Sequence, residues 1–307
     1  VSTPRYRRAV RTAEPRRRQA VALVVEDDPA LNDSLCDALS DAGFECVQAF
    51  GAEEATEFLD SGETVGLFVI ESMLPDTNGF QLNAIVKLRP DTNTAPVLML
   101  LDRPIEKLHL DGLRVEPNRY VSKSVEADLL VSAAREELSR QRTRRREGTV
   151  FYAEVLFQSD LKQLDSLNTV LGRALKVVET DEIDEQKIKY ATLEMGHNAI
   201  EWGNRNEPQR TVKVVLSVRK DQFSARIVDE GAGFDPTDLP HASDPDDPVA
   251  HLEVRHQMGI REGGFGILLA REFMDEVTYS ERGNEVTLVK NLQGSGRSEK
   301  VPTSAVG

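Results

Sequence analysis

The chain has 307 residues, 39% of them hydrophobic and 29% charged, with a net charge of −14. That length falls in the two-domain range at roughly 100–200 residues per domain, and the composition allows real cores to be buried. No apolar run approaches the roughly 18 residues of a membrane span, and the two cysteines, Cys36 and Cys46, make neither a disulfide framework nor a zinc site. A cytoplasmic protein without membrane contact is expected, its cysteines serving as small packing residues.

Charge divides the chain. Residues 1–19 carry seven Arg against one Glu and read as a disordered basic tail without a base-reading motif. Residues 20–139 form a strongly acidic first globule, residues 140–149 a short basic linker, and residues 150–292 a second acidic globule. Residues 293–307, rich in Ser, Gly and charge, read as a disordered end.

In the first globule, strands are expected at Val21–Val25, Phe44–Phe50, Val65–Ile70, Pro96–Leu101 and Arg119–Ser122. Helices are expected at Pro29–Ala42, Ala52–Ser61, Gly79–Leu88 and Val125–Leu138, while Pro104–Leu113 fits neither pattern well. Alternation of this kind implies a doubly wound parallel sheet, whose ligands gather at the carboxyl ends of the strands. Glu26, Asp27 and Asp28 follow the first strand, Glu71 ends the third, Leu101 the fourth, and Lys123 follows the fifth. Converging carboxylates with one lysine suit a divalent cation, with Glu26 and Asp27 as ligands, and an anionic group beside it.

In the second globule, Thr149–Gln158 alternates like a half-buried strand, followed by helices at 160–178 and 184–203. Strands are expected at Arg210–Val218, Gln222–Asp229, Glu276–Glu281 and Asn284–Asn291. More than 30 residues without periodicity precede Gly263, which suggests a lid. Within LEMGHNAIEWGN, Glu194, Asn198 and Glu201 share a helical face; a carboxylate beside an amide oxygen can orient a nucleophile and hold hydrated magnesium. Within VDEGAGF, Asp229 is followed by Gly231 and Gly233, which admit a flat ligand close to backbone. Within REGGFGILLAREF, Gly263, Gly264 and Gly266 precede a helix whose free N–H groups can receive phosphates. Met195 and Trp202 read as core residues, and His197 as a packing or pocket-edge residue. His241, His251 and His256 lie among Asp244, Asp246 and Asp247 with irregular spacing, which favours a solvated loop over a metal cluster.

The first globule resembles the receiver domain of two-component response regulators through the acidic pair after VALVV, FVIESMLPDTNGF and the VSK after RY. The resemblance makes Glu71 the counterpart of the phosphoacceptor aspartate, Leu101 that of a Thr or Ser, and Ser124 that of a Pro. The longer Glu71 carboxylate and the missing hydroxyl at Leu101 both act against phosphotransfer. The second globule resembles the Bergerat-fold ATPase superfamily, most closely the anti-sigma-factor serine kinases, whose domain opens with a strand like FYAEVLFQSDL and closes with MDEVTYSERGNEVTLVK. Trp202 departs from the His often found there in that branch. None of the five histidines lies on a dimerising helix ahead of Glu194, which argues against a histidine autokinase.

The resemblance implies an α/β protein, a receiver joined to an α/β-sandwich ATP-binding domain. Asp229 would hold adenine, Asn198 magnesium, and Glu194 would be the general base for a protein serine or threonine. A sigma factor and an anti-anti-sigma protein are the implied partners, and a homodimer stays open. The alternative is a non-catalytic, nucleotide-dependent sequestering module. A DNA-binding regulator is disfavoured, since both globules are acidic and no helix-turn-helix signal follows the receiver.

Overall fold

The computed structural model of the chain describes residues 7–8, 20–105, 110, 112–234 and 266–292. Two compact units divide at Gln158/Ser159.

The first unit is built on β1 (Arg7–Arg8), β2 (Val21–Val25), β3 (Glu45–Ala49), β4 (Val65–Glu71), β5 (Val97–Leu101) and β7 (Arg119–Ser122), ordered β1-β3-β2-β4-β5-β7. The strands from β3 to β7 pair in parallel, as the alternation of strands and helices requires. Side chains of β2 alternate between two cores. Leu23 and Val25 pack with Phe58 of α2 (Ala52–Asp60) and Leu82 of α3 (Gly79–Leu88); Ala22 and Val24 pack with Leu35 of α1 (Pro29–Asp41) and Leu130 of α4 (Ala127–Arg146). Cys36 and Cys46 are buried in the second core as packing residues. β1 pairs antiparallel with β3, so Arg7–Arg8, expected within a disordered basic tail, use the open hydrogen-bonding edge of β3.

Two other expectations give way. The segment expected as a basic linker from residue 140 is helical as far as Arg146, because arginine is a good helix former and Arg144–Arg146 complement the negative end of α4. The ill-defined stretch before Arg119 ends in a three-residue strand, β6 (Leu113–Val115), paired antiparallel with β8 (Thr149–Gln158). Three residues are too few for alternation to register in sequence.

In the second unit, β9 (Thr211–Arg219), β10 (Gln222–Asp229), β12 (Glu285–Asn291) and β11 (Glu276–Tyr279) form an antiparallel array. Val212, Val214, Leu216 and Val218 of β9 and Phe223, Ala225 and Ile227 of β10 are buried on alternate positions. The helices α5 (Gln163–Leu175), α6 (Glu182–Asn198) and α7 (Gly266–Phe273) complete the unit, with Leu167, Leu171, Ile188, Ala191 and Ala270 fully buried or nearly so. None of the described helices is long and apolar enough to cross a membrane.

Candidate functional site

The carboxyl end of the first sheet assembles the expected acidic cluster. Val25 of β2 is paired with Ile70 of β4, so the next residues, Glu26 and Glu71, emerge side by side. Lys123 follows β7, fixed by its N–H on Leu101 O at 2.8 Å, and its Nζ donates to Glu26 Oε1 at 2.9 Å and Glu71 Oε1 at 2.5 Å. Burial pushes the Glu71 carboxyl up to about 7; the Lys123 hydrogen bond works against that rise, while Glu26 and Asp27 add to it. Burial works to lower the Lys123 ammonium, but the hydrogen bonds to Glu71 and Glu26 outweigh it and the net shift is upward.

Glu26, Asp27 and Glu71 each bring a carboxylate oxygen within 4.8 Å of the others. The Oε2 atoms of Glu26 and Glu71 are buried without a hydrogen-bond partner. Orphaned carboxylate oxygens beside an exposed Asp27 fit a hard divalent cation. Asp28 is differently employed: its Oδ1 accepts from Ala30 N at 2.8 Å and Leu31 N at 3.1 Å as the cap of α1. Leu101 is buried and supplies no hydroxyl, and Ser124 Oγ lies 2.8 Å from Ser122 Oγ.

The second unit encloses a cavity of about 550 Å³, a size ordinary for nucleotide-sized ligands. Asp181 caps α6 by accepting from Ile183 N at 2.6 Å, and the helix brings Glu194 and Asn198 to the cavity one turn apart. After Asn198 the helix widens into a π turn, Ala199–Gly203. Such turns are frequent at functional sites, and the extra residue rotates the downstream side chains by about 100°. Trp202, expected in the core, is consequently half-buried on the cavity wall, together with Glu201. Met195 is buried as expected and also lines the cavity.

Asn204, fully buried, closes the turn. Its Nδ2 donates to Ser159 Oγ and Thr211 O, each at 2.8 Å, and its Oδ1 accepts from Glu230 N at 2.8 Å. This brings the backbone of Gly203 against Asp229 at the end of β10. A Cβ on Gly203 would meet the carboxylate at 2.3–2.5 Å, and one on Gly231 would meet Gly203 O at 2.2 Å. Gly231 thus stands behind Asp229, its N–H donating to Oδ1 at 2.8 Å, while Gly233 and Gly266 reach the cavity wall. Burial pushes the Asp229 carboxyl above its ordinary value; the Gly231 N–H, then Arg282 and Arg210, hold that rise in check. His197 lies at the cavity edge with Nδ1 3.5 Å from Glu201 Oε2.

Gly263, Gly264 and the segment expected as a lid, with His241, His251 and His256, fall outside the described residues. Sequence reasoning did not assign Gly203, Asn204 or Tyr279 to the site. The WGN following Glu201 was the available signal for the first two. Tyr279, whose hydroxyl burial pushes up to about 12 against the opposing charge of Arg271, sits 3.5 Å from Met195 Sδ across the cavity wall.

Residues 22–135 match the family model of the response regulator receiver domain, and residues 157–290 that of the histidine kinase-like ATPase domain. The chain is a response regulator receiver domain followed by a histidine kinase-like ATPase domain. Among curated relatives it is similar to the phosphate regulon transcriptional regulatory protein PhoB of Pseudomonas aeruginosa, at 28% identity over 118 residues, 38% of this chain and 51% of that protein. It is also similar to the transcriptional regulatory protein CpxR of Escherichia coli (strain K12), at 31% over 118 residues, 38% of this chain and 49% of that one. The chain spans about half the length of the curated relatives it matches. Among solved structures, the signal receiver domain of a signal transduction histidine kinase from Syntrophus aciditrophicus is 25% identical, with a TM-score of 0.35, covering 39% of this chain and 91% of that chain.

Proposed function

We propose that the receiver-like unit carries an output domain that binds Mg-ATP and transfers its γ-phosphoryl group to a serine or threonine of a partner protein. The convergence of Glu194, Asn198 and Asp229 on one cavity supports this reading above all. Asp229 would accept a hydrogen bond from the adenine amino group, with Gly203 and Gly231 leaving room for its carboxylate against the backbone. Asn198 would hold the magnesium ion, which neutralises phosphate charge when bound. Glu194 would take the proton of the substrate hydroxyl as its oxygen attacks the γ-phosphorus and ADP departs. Partner switching fits this chemistry: a sigma factor would be held by the domain and an anti-anti-sigma protein phosphorylated by it.

A general base contributes about 10²–10⁴-fold to rate and little to ground-state binding. Labelled ATP with partners recovered by pull-down tests the reading. Glu194→Ala is expected to keep ATP affinity within a few-fold, about 1 kcal/mol or less, while phosphate transfer disappears. A wild-type chain that binds ATP and its partner tightly but transfers nothing would leave the sequestering module in its place.

A further inference from the structure

The turn between β11 and β12, SERGN, contributes no side chain to the transfer chemistry. It grips the loop that carries Asp229. Arg282 Nη2 donates to Gly231 O at 3.0 Å and Arg282 Nε to Ala232 O at 3.3 Å. Asn284 Nδ2 donates to Asp229 O at 3.0 Å, Asp229 N to Asn284 O at 3.0 Å, and Phe234 N to Arg282 O at 3.1 Å. The backbones are in such close contact that a Cβ on Gly233 would meet Arg282 O at 1.8 Å, and one on Gly283 would meet Phe234 O at 1.9 Å. Residues 229 and 231–234 are therefore all held from this one turn.

Two successive carbonyls facing one guanidinium form a demanding arrangement. A rigid fork of charged donors satisfies both; a lysine ammonium on a flexible stem offers a point charge without the fixed geometry. We propose that Arg282 is a positioning residue for the nucleotide, fixing the Asp229–Gly233 loop through its two carbonyls and so placing the Asp229 carboxylate that meets the base. The inference rests on Asp229 being the adenine contact. Asp229 feels Arg282 from the turn and Arg210 from the segment before β9. Glu201 and His197 on the helical side and Tyr279 and Glu285 on the hairpin side line the same cavity and are left unchanged by substitution at 282.

The ionised Asp229 is the hydrogen-bond acceptor, so nucleotide affinity is present above its pKa and lost as pH falls through it. Removing a nearby cation raises that pKa further, so the acid limb of the affinity profile moves to higher pH. Calorimetric titration of the full chain with Mg-ATP across the acid range tests this, the limb being assigned to Asp229 by its disappearance in Asp229→Asn. Arg282→Gln is expected to bind about tenfold or more weakly, with its acid limb moved upward in pH. Arg282→Lys is expected to return the limb to the wild-type position while affinity stays below wild type. Wild-type affinity and limb in Arg282→Gln would overturn the proposal, as would an affinity loss with the limb unmoved, which marks mere loop packing. Should circular dichroism show Arg282→Gln unfolded, wild-type affinity in Arg282→Lys alone is enough to reject the fork. A wild-type chain that binds no ATP overturns the nucleotide reading itself, and the role of Arg282 with it.

Discussion

Gly203 lies so close to Asp229 that a Cβ on the glycine would meet the carboxylate carbon at 2.3 Å. No real Cβ contact is so short, and both ends are anchored. Asn204 pins the turn after Gly203 with three hydrogen bonds, and the Gly231 N–H and Asn284 pin Asp229. Gly203→Ala therefore has to displace the carboxylate that would read the base. Its ATP affinity is expected to fall by about tenfold or more, the worth of a charge-assisted hydrogen bond of about 1.5–3 kcal/mol. Calorimetry on a variant with a wild-type circular dichroism spectrum checks this; unchanged affinity would move the base elsewhere.

The parts of the fold legible in sequence were those written in local periodicity. Val21–Val25, Val97–Leu101 and Arg119–Ser122 stand close to where alternating apolar runs put them, and the acidic residues after β2 and at the end of β4 do converge with Lys123. Glu194, Asn198 and Asp229 were legible because each belongs to a compact motif. The rest depends on contacts distant in sequence. Leu113–Val115 is a strand only because Val155–Phe157 pairs with it. Gly203 acquires its importance from Asp229, 26 positions on, and Arg282 from two carbonyls 50 or more residues earlier. The π turn adds a rotation that a uniform helical wheel over 184–203 leaves out.

Glu71 gives the first unit a specific pH dependence. Its carboxyl, raised by burial from an ordinary 4.5 to about 7, binds a proton more tightly folded than unfolded. Its contribution to stability is thus fully present below about 4.5 and is lost as pH rises through about 7. Glu71→Gln removes the charge and supplies an N–H₂ next to Glu26, whose Oε2 lacks a partner. Lys123 keeps its bond to Glu26. The variant is expected to melt a few degrees above wild type on the alkaline side of that range, on the order of 1 kcal/mol or more. The difference should shrink as pH falls, in thermal melts at matched ionic strength. A gap that grows toward acid would show that Glu71 is stabilised as the carboxylate.

The same cluster is expected to take up no phosphoryl group from a small acyl-phosphate donor. An added methylene carries the Glu71 carboxylate out of line for attack, and Lys123 already occupies one of its oxygens at 2.5 Å. Leu101 contributes no hydroxyl for a phosphoryl oxygen. Intact mass spectrometry after incubation with acetyl phosphate and magnesium is expected to show the unmodified mass. The pair Glu71→Asp with Leu101→Thr, which restores the shorter nucleophile and the hydroxyl, is expected to gain an adduct. A stable adduct on Glu71 in the wild-type chain would overturn this account.

Glu194 and Gly266 offer a way to separate the identity of the general base from its placement. A Cβ on Gly266 would meet Glu194 Oε1 at 2.0 Å, Cγ at 2.3 Å and Cδ at 2.4 Å. The clash reaches from the carboxylate back to Cγ, so Gly266→Ala has to turn the whole Glu194 side chain about its first torsion, which carries the carboxylate away. The carboxylate remains in the cavity, but it leaves the position one turn before Asn198 that would put it between the γ-phosphate and an incoming hydroxyl. Misplacement of a catalytic group by about 1 Å can cost roughly 10²-fold in rate. Gly266→Ala is accordingly expected to bind Mg-ATP within a few-fold of wild type and to lose about 10²-fold in transfer to a partner serine or threonine. If Glu194 is the base, combining Gly266→Ala with Glu194→Ala adds little to the loss from Glu194→Ala alone, since the two act on one group. Single-turnover transfer rates for the wild type, both single variants and the double variant complete the cycle. Losses that multiply in the double variant would place the general base on another residue.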